Sequence, residues 1–136
     1  MGKSTVTCNE TLDAILRAVD PAWRSGASRY VALHTAALNA SSAQNTSEAT
    51  YTSYARITVT AATGFSAGSS AASSNTGLLQ FPEATGGADT VTHISIGTAS
   101  SGAGQILYFG ALDSSRSIST GIQPQFAIGA LDITEA

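Results

Sequence analysis

Charged residues are scarce in this chain. Only 11% of its 136 residues are Asp, Glu, Lys or Arg, less than half of the share of about 25% that soluble proteins usually carry. Six basic residues stand against nine acidic ones, which gives a net charge of -3. Nucleic-acid-binding proteins and polybasic membrane-surface proteins need an excess of positive charge. The sequence therefore predicts no nucleic-acid partner and no membrane partner.

Cysteine, metal-ligand spacings and long apolar runs are also lacking. A single cysteine, Cys8, excludes an internal disulfide and a cysteine-rich zinc site. No run reaches the roughly 18–20 apolar residues of a membrane span, and residues 1–6 lack the apolar core of a signal peptide. We therefore predict synthesis in the cytoplasm, with no signal peptide.

Small neutral residues take the place of the missing charges. Ala, Ser, Thr and Gly together make up more than half of the chain. This composition is typical of a β protein whose exposed faces carry Ser and Thr, and it suits an enzyme with a dense ionisable site poorly. The length corresponds to one domain.

One convincing helix is predicted, near residues 8–19. Four apolar residues fall at i, i+3, i+4 and i+7, the spacing of one helical face; they are Leu12, Ile15, Leu16 and Val19, called the apolar stripe below. Thr7 and Glu10 have the spacing of a capping box, and Pro21 ends the helix. A helix this short is marginal alone in water, so the stripe must pack either on the domain itself or on a partner protein.

The rest of the chain has the period of short strands. We predict strands at residues 30–34, 51–60, 78–81, 91–96, 106–112 and 126–133, with loops at 38–49 and 66–77 and turn-rich segments between the later strands. The predicted fold class is all-β: a single β-sandwich or jelly-roll-like domain with a short N-terminal α-helix. We predict two parts: residues 1–28 as an N-terminal helical segment and candidate docking arm, and residues 29–136 as the β-sandwich domain.

Three features of the sequence are similar to catalytic or binding motifs, but the residues around them do not fit such motifs. We therefore predict no catalytic, cofactor-binding or metal-binding residues. Gly64–Gly68 matches the G-x-S-x-G pattern of a serine hydrolase, but the Ser/Ala-rich stretch that follows lacks the helix that a nucleophile elbow requires. His34 and His93 have no metal-ligand spacing and are expected to pack or hydrogen-bond on a sheet face. Gly102–Gly104 lacks the rest of a dinucleotide-binding loop and is predicted to be a hairpin. No cofactor is expected.

Six segments from residue 30 onward carry a family resemblance. They are Tyr30–Thr35, Ser53–Arg56 with Glu48 before it, Phe81–Gly86, Val91–Ile96, Ile106–Leu112 and Phe126–Leu131. In this order and spacing they resemble a family of small β-rich virion proteins of tailed bacteriophages, which are head-decoration or tail-fibre-like proteins. The resemblance implies a non-enzymatic structural protein that is made in the host cytoplasm and located in the virion.

From this resemblance we expect a capsid decoration or cement protein that binds the assembled head and stabilises it. Its partner would be the major capsid protein, and the expected homo-oligomer is a trimer. One alternative is a tail or tail-fibre component involved in host attachment, with tail proteins as partners. A second alternative is a carbohydrate-binding surface module, although the lone Trp23 lies near the helix rather than in a β loop.

The predicted contact surface lies in the N-terminal segment, because that segment falls outside the family-like β core. Each stripe side chain would contribute about 1.5–3 kcal/mol when fully desolvated, more than the roughly 0–1 kcal/mol of a surface ion pair. The expected contact residues are Leu12, Ile15, Leu16, Val19, Trp23, Arg24 and Arg29.

Overall fold

Strands dominate the chain, and one helix precedes them. The structure, a computed structural model, describes residues 1–135, so the last residue of the predicted β domain, Ala136, lies outside the described residues. The elements in chain order are α1 (Thr5–Arg17), a short 3-10 helix (Ala22–Ser25), β1 (Ser28–His34), β2 (Ile57–Thr60), β3 (Ala72–Ser74), β4 (Leu79–Gln80), β5 (Ala88–Gly97), β6 (Ile106–Ser119), β7 (Gln125–Phe126) and β8 (Asp132–Thr134).

The strands form one sheet and two ribbons, all antiparallel. The sheet has the order β2-β1-β5-β6, and the ribbons pair β3 with β8 and β4 with β7. Val31 in the middle of β1 lies opposite Ile57 on one side and Ile96 on the other. The predicted class, all-β with a short N-terminal helix, is confirmed.

The ribbons cover one face of the sheet and share its core. Val31 and Leu33 of β1 belong to the same buried cluster as Leu79 of β4 and Ile133 of β8. Phe81, directly after β4, is fully buried among them. Because each ribbon has only two strands, its stability depends on this burial rather than on its own hydrogen bonds.

Buried polar side chains hold the loops beside the sheet in place. The Arg56 guanidinium donates to both carboxylate oxygens of Glu48, at 2.7 and 2.8 Å, and to the carbonyls of Ala99 and Gly102, at 2.8 and 2.7 Å. These bonds tie residues 38–49 to the loop between β5 and β6. Gly102–Gly104 therefore lies in a hairpin loop, as predicted.

The predicted strand over residues 51–60 is wrong in its first half. Only Ile57–Thr60 is strand, whereas Ser53 has a φ of 78° and Tyr54 N–H donates to the Tyr51 carbonyl in a turn. The side chains of residues 51–56 do alternate in polarity, but tertiary contacts hold this segment in a turn instead of a strand. Tyr51 is buried, and its hydroxyl donates to the Pro82 carbonyl at 2.9 Å.

The C-terminal third also differs from the prediction. Strand β6 continues to Ser119 through the predicted turn, and residues 112–115 bulge opposite Thr92. The predicted strand over residues 126–133 is two strands that join different ribbons, separated by a turn in which Gly129 has a φ of 74°. After Leu112, exposed Ser and Arg side chains leave no apolar period in β6, so the sequence gives no local signal that the strand continues to Ser119.

Candidate functional site: an exposed helix face and a neighbouring groove

Helix α1 begins three residues before the predicted start and ends two residues earlier. Ser4 is the N-cap, and its hydroxyl accepts from Thr7 N–H at 3.3 Å. Arg17 is the last helical residue because Ala18 takes the left-handed conformation, with a φ of 54°. The predicted capping box is wrong, since the Thr7 side chain is buried and bonded to a strand instead.

The polar face of α1 is the face that docks on the sheet. The hydroxyls of Ser4 and Thr7 both donate to the Ile106 carbonyl, at 2.7 and 2.8 Å. The Gln105 side-chain amide donates to Thr7 and to the Glu10 carboxylate, at 2.9 and 2.6 Å. Hydrogen bonds at the start of β6 therefore fix the helix, and the apolar stripe has no part in this contact.

The apolar stripe faces outward. The exposed fractions are 55% for Leu12, 74% for Ile15, 75% for Leu16 and 46% for Val19. Cys8, one turn before Leu12, is also exposed. Of the two expectations for the stripe, packing on the domain itself is wrong. Val19 lies beyond the end of the helix at Arg17, so we call Cys8, Leu12, Ile15 and Leu16 together the outer face of α1.

The three other predicted contact residues lie apart from the outer face. Arg24 is exposed and forms an ion pair with Asp20. Arg29 folds back and donates to the carbonyls of Trp23, Gly26 and Ser28, at 2.9–3.1 Å. Trp23 is half-buried, and its indole Nε1 has no hydrogen-bond partner within residues 1–135.

Trp23 and Arg29 instead line a groove made by both ends of the chain. Two adjoining cavities of about 320 and 250 Å³ share four lining residues. These are Arg29, Leu107, Tyr108 and Glu135. The larger cavity has mostly apolar walls, among them Phe65, Ile96 and Ile133, whereas the smaller one has Trp23, Lys3 and two helix threonines.

Two of the charged side chains in the groove, Lys3 and Glu135, form an ion pair. The Glu135 carboxylate accepts from the Lys3 ammonium and from the Tyr108 hydroxyl, and Lys3 Nζ lies 5.6 Å from the centre of the Tyr108 ring. Burial raises the pKa of the Glu135 carboxyl, but the bonds from Lys3 and Tyr108, together with the positive charges of Lys3 and the N-terminus, lower it by more. Burial and the neighbouring carboxylate raise the pKa of Tyr108. At neutral pH the groove thus holds an ionised Glu135 and a neutral Tyr108.

Sequence reasoning missed Lys3, Tyr108 and Glu135 as members of one site. Lys3 and Glu135 are 132 positions apart, so no local spacing could connect them. The pairing of Gly2 with Phe109 and the bond from Ser4 to the Ile106 carbonyl, both on β6, bring the chain start to this face.

The two histidines lie side by side on neighbouring strands of the sheet. His34 is fully buried; its Nδ1 lies 2.8 Å from the Thr46 carbonyl, and its Nε2 lies 2.8 Å from the Ser95 hydroxyl. Because a carbonyl only accepts, Nδ1 carries the proton and Nε2 accepts from Ser95. His93 lies opposite His34 on β5. In the part of the chain that the structure describes, no three His, Cys, Asp or Glu side chains could hold a metal ion.

The G-x-S-x-G segment leads into a hairpin rather than a helix. Phe65 bridges Asn75, and Ser69 bridges Ala72. The Ser66 hydroxyl accepts from Ser74 N–H at 3.1 Å. A nucleophile elbow presents its serine between a strand and a helix, so this segment does not have that geometry.

Comparison with known proteins identifies the family. A family model described as podophage GP4 fiber I protein gp80 matches residues 2–134, almost the whole chain. The chain belongs to this family. No curated protein matches it.

Membership of the gp80 fibre family confirms the resemblance to small virion proteins of tailed bacteriophages. The protein is a phage structural protein, and its family indicates a location in the virion. The match names a fibre, so it fits the tail-fibre alternative and gives no support to capsid decoration.

A membrane-spanning helix is not found among residues 1–135, because none of the helices there has both the length and the hydropathy that a span requires.

Proposed function

We propose that this protein is a tail-fibre component involved in host attachment and that it has no catalytic activity of its own. The observation that carries the proposal is the match of residues 2–134 to a podophage fibre protein family. The expected capsid decoration role is set aside, because nothing in the match refers to the head.

The outer face of α1 supports this role as a surface of assembly. Its exposed Leu and Ile side chains would each contribute about 1.5–3 kcal/mol when fully desolvated. A fibre presents several copies of its chains together, and small contacts gain strength from such multivalency. The partners proposed are tail proteins and further copies of the chain, arranged as a trimer.

Virions that lack the protein distinguish a fibre from a cement protein. We expect these particles to lose attachment to host cells while they release DNA at the same temperature as complete particles. Complementation with the wild-type protein serves as the control. Normal attachment combined with earlier DNA release on heating would contradict the fibre role, because a cement protein stabilises the assembled state to which it binds.

The absence of catalysis has a direct test at Ser66. A fluorophosphonate probe should label Ser66 no faster than other exposed serines, and Ser66→Ala should change the free energy of unfolding by less than about 0.5 kcal/mol. Labelling that is lost in Ser66→Ala, and retained in the neighbouring Ser69→Ala, would instead indicate an activated serine.

The groove favours a second candidate function, carbohydrate binding. Sugar rings pack their apolar faces on aromatic side chains, and Trp23 and Tyr108 both line the smaller cavity. Trp23 is the sole tryptophan, so its fluorescence reports on the groove alone. Titration with hexoses, N-acetylhexosamines and uronic acids should shift this fluorescence in the wild type and in Arg24→Ala, but not in Tyr108→Ala. An unchanged wild-type spectrum would contradict this candidate.

A further inference from the structure

The outer face of α1 has the spacing of a helix–helix seam. Within α1, Thr5, Cys8, Leu12 and Ile15 follow one another at intervals of three, four and three residues. These are the a and d positions of a heptad repeat, at which one helix packs against another. All four side chains are exposed. A face that only covered its own domain would be buried, so this seam is unpartnered within the described chain.

The charge distribution favours an identical helix as the partner. The helix positions that flank the seam are uncharged: Asn9, Thr11 and Leu16. The charged helix residues are engaged elsewhere, because Glu10 accepts from Gln105 and Asp13 pairs with Arg17 at 3.0 Å. Copies of α1 could therefore meet without like-charge repulsion, and the seam offers a different partner no ionic contact for recognition.

The anchoring of α1 makes so short a seam usable. Thirteen residues are fewer than a free helix or an isolated coiled coil needs for stability. Here the bonds of Ser4 and Thr7 to the Ile106 carbonyl already hold the helix in place. Association therefore does not have to fold α1, and a preorganised surface loses less entropy on binding.

We infer that the outer face of α1 binds the same face of α1 in neighbouring copies of this chain, with the helices parallel. This inference rests on the proposed fibre role, in which copies of the chain lie side by side. Parallel helices around a rotation axis place identical residues in the same layer. The seam thus brings the Cys8 thiols of adjacent copies together, as well as the Leu12 and Ile15 side chains.

Cys8 allows a direct test, because it is the only cysteine and lies in the seam. Mild oxidation of the purified full-length protein should give a disulfide-linked dimer, since parallel seam residues lie within the distance that a disulfide spans. The matched control is the double variant Cys8→Ser with Ser101→Cys, which moves the thiol to an exposed loop. It should form dimers only at the rate of random collision. Equal rates in the two proteins would overturn the inference.

A pair of helix variants tests the apolar layers independently. Leu12 and Val6 are equally exposed, at 55%, but only Leu12 lies at a seam position. Leu12→Asp should weaken self-association about tenfold or more in sedimentation velocity, because it would bury a carboxylate, whereas Val6→Asp should leave it unchanged. Equal effects, or a wild type that stays monomeric at all concentrations, would overturn the inference.

The fibre role can fail separately from this contact. If virions without the protein lose attachment but the wild-type protein stays monomeric and gives no Cys8 dimer above the control, the homotypic contact is wrong and the fibre role stands. If Cys8 dimers form but virions without the protein attach normally, the contact stands and host attachment is wrong.

Discussion

At the residue scale, Arg56 illustrates how one buried charge fixes several segments. Its side chain is only 2% exposed and pairs with a Glu48 side chain that is 16% exposed. Glu48 Oε1, which accepts from Arg56 Nε, also accepts from the Tyr54 hydroxyl. The Tyr54 hydroxyl in turn accepts from Leu33 N–H on β1. A buried ion pair adds little when complete, but the loss of one member leaves an uncompensated buried charge.

Arg56→Ala should therefore be strongly destabilising. We expect a loss of about 3–5 kcal/mol in the free energy of unfolding, because the Glu48 carboxylate loses its positive partner and the Ala99 and Gly102 carbonyls lose a donor. Urea denaturation measures the loss. The exposed Arg116 provides the control, and Arg116→Ala should change stability by less than about 0.5 kcal/mol. Similar effects of the two substitutions would show that the Arg56 network does not hold the loops.

At the element scale, α1 reverses the usual arrangement of an amphipathic helix. Such a helix normally packs its apolar stripe on the core and turns its polar face to water. Here the face that carries Thr7 and Glu10 is hydrogen-bonded to Gln105 at the start of β6. On the opposite side, Ile15 and Leu16 are about three-quarters exposed. The helix is therefore held by directional hydrogen bonds rather than by hydrophobic burial.

This reversal predicts which helix substitutions destabilise the protein. Ile15→Ser should change the free energy of unfolding of the dilute protein by less than about 0.5 kcal/mol. Thr7→Val should cost about 1–3 kcal/mol, because a buried carbonyl and the Gln105 amide each lose a partner. Urea denaturation compares the two variants. A larger loss in Ile15→Ser than in Thr7→Val would mean that the stripe is buried in the free chain.

At the scale of the whole molecule, the stability should depend on pH through His34. Burial lowers the pKa of His34 below its ordinary value of 6.5; the Thr46 carbonyl and Glu48 oppose this shift, whereas Arg56 and His93 add to it. Below pH 6.5 the unfolded chain takes up a proton that the folded chain does not. Stability is thus complete above that pH and is lost as the pH falls towards the folded-state pKa.

The expected contribution of His34 is a slope of at most about 1.4 kcal/mol per pH unit, the value for one proton. Urea denaturation between neutral and mildly acidic pH measures this slope. His34→Gln should reduce the slope in that range because the amide does not titrate, whereas His93→Gln on the neighbouring strand should leave it in place. An unchanged slope in His34→Gln would assign the acid sensitivity to other groups.

The fold class and the helix were determined locally by the sequence. The change from a helical period to a strand period after Pro21, and the small polar residues of the strands, predicted an all-β domain with an N-terminal helix, as observed. Those signals are local, since they depend on which side chains share a face of one element. Residues 126–133 show the limit, because their apolar character indicated strand but not that two ribbons would divide them.

Only the tertiary structure decided which side of α1 faces outward and which residues form the groove. The spacing of the stripe indicates that one face of the helix is apolar. Whether water or protein covers that face depends on the surface that β6 presents to the helix. That surface is the Ile106 carbonyl and the Gln105 amide, which select hydroxyls rather than methyl groups. The groove likewise joins Lys3 to Glu135 from opposite ends of the chain. Contacts between residues so far apart in the sequence depend on how the strands pair, and a single sequence carries no local signal for that pairing.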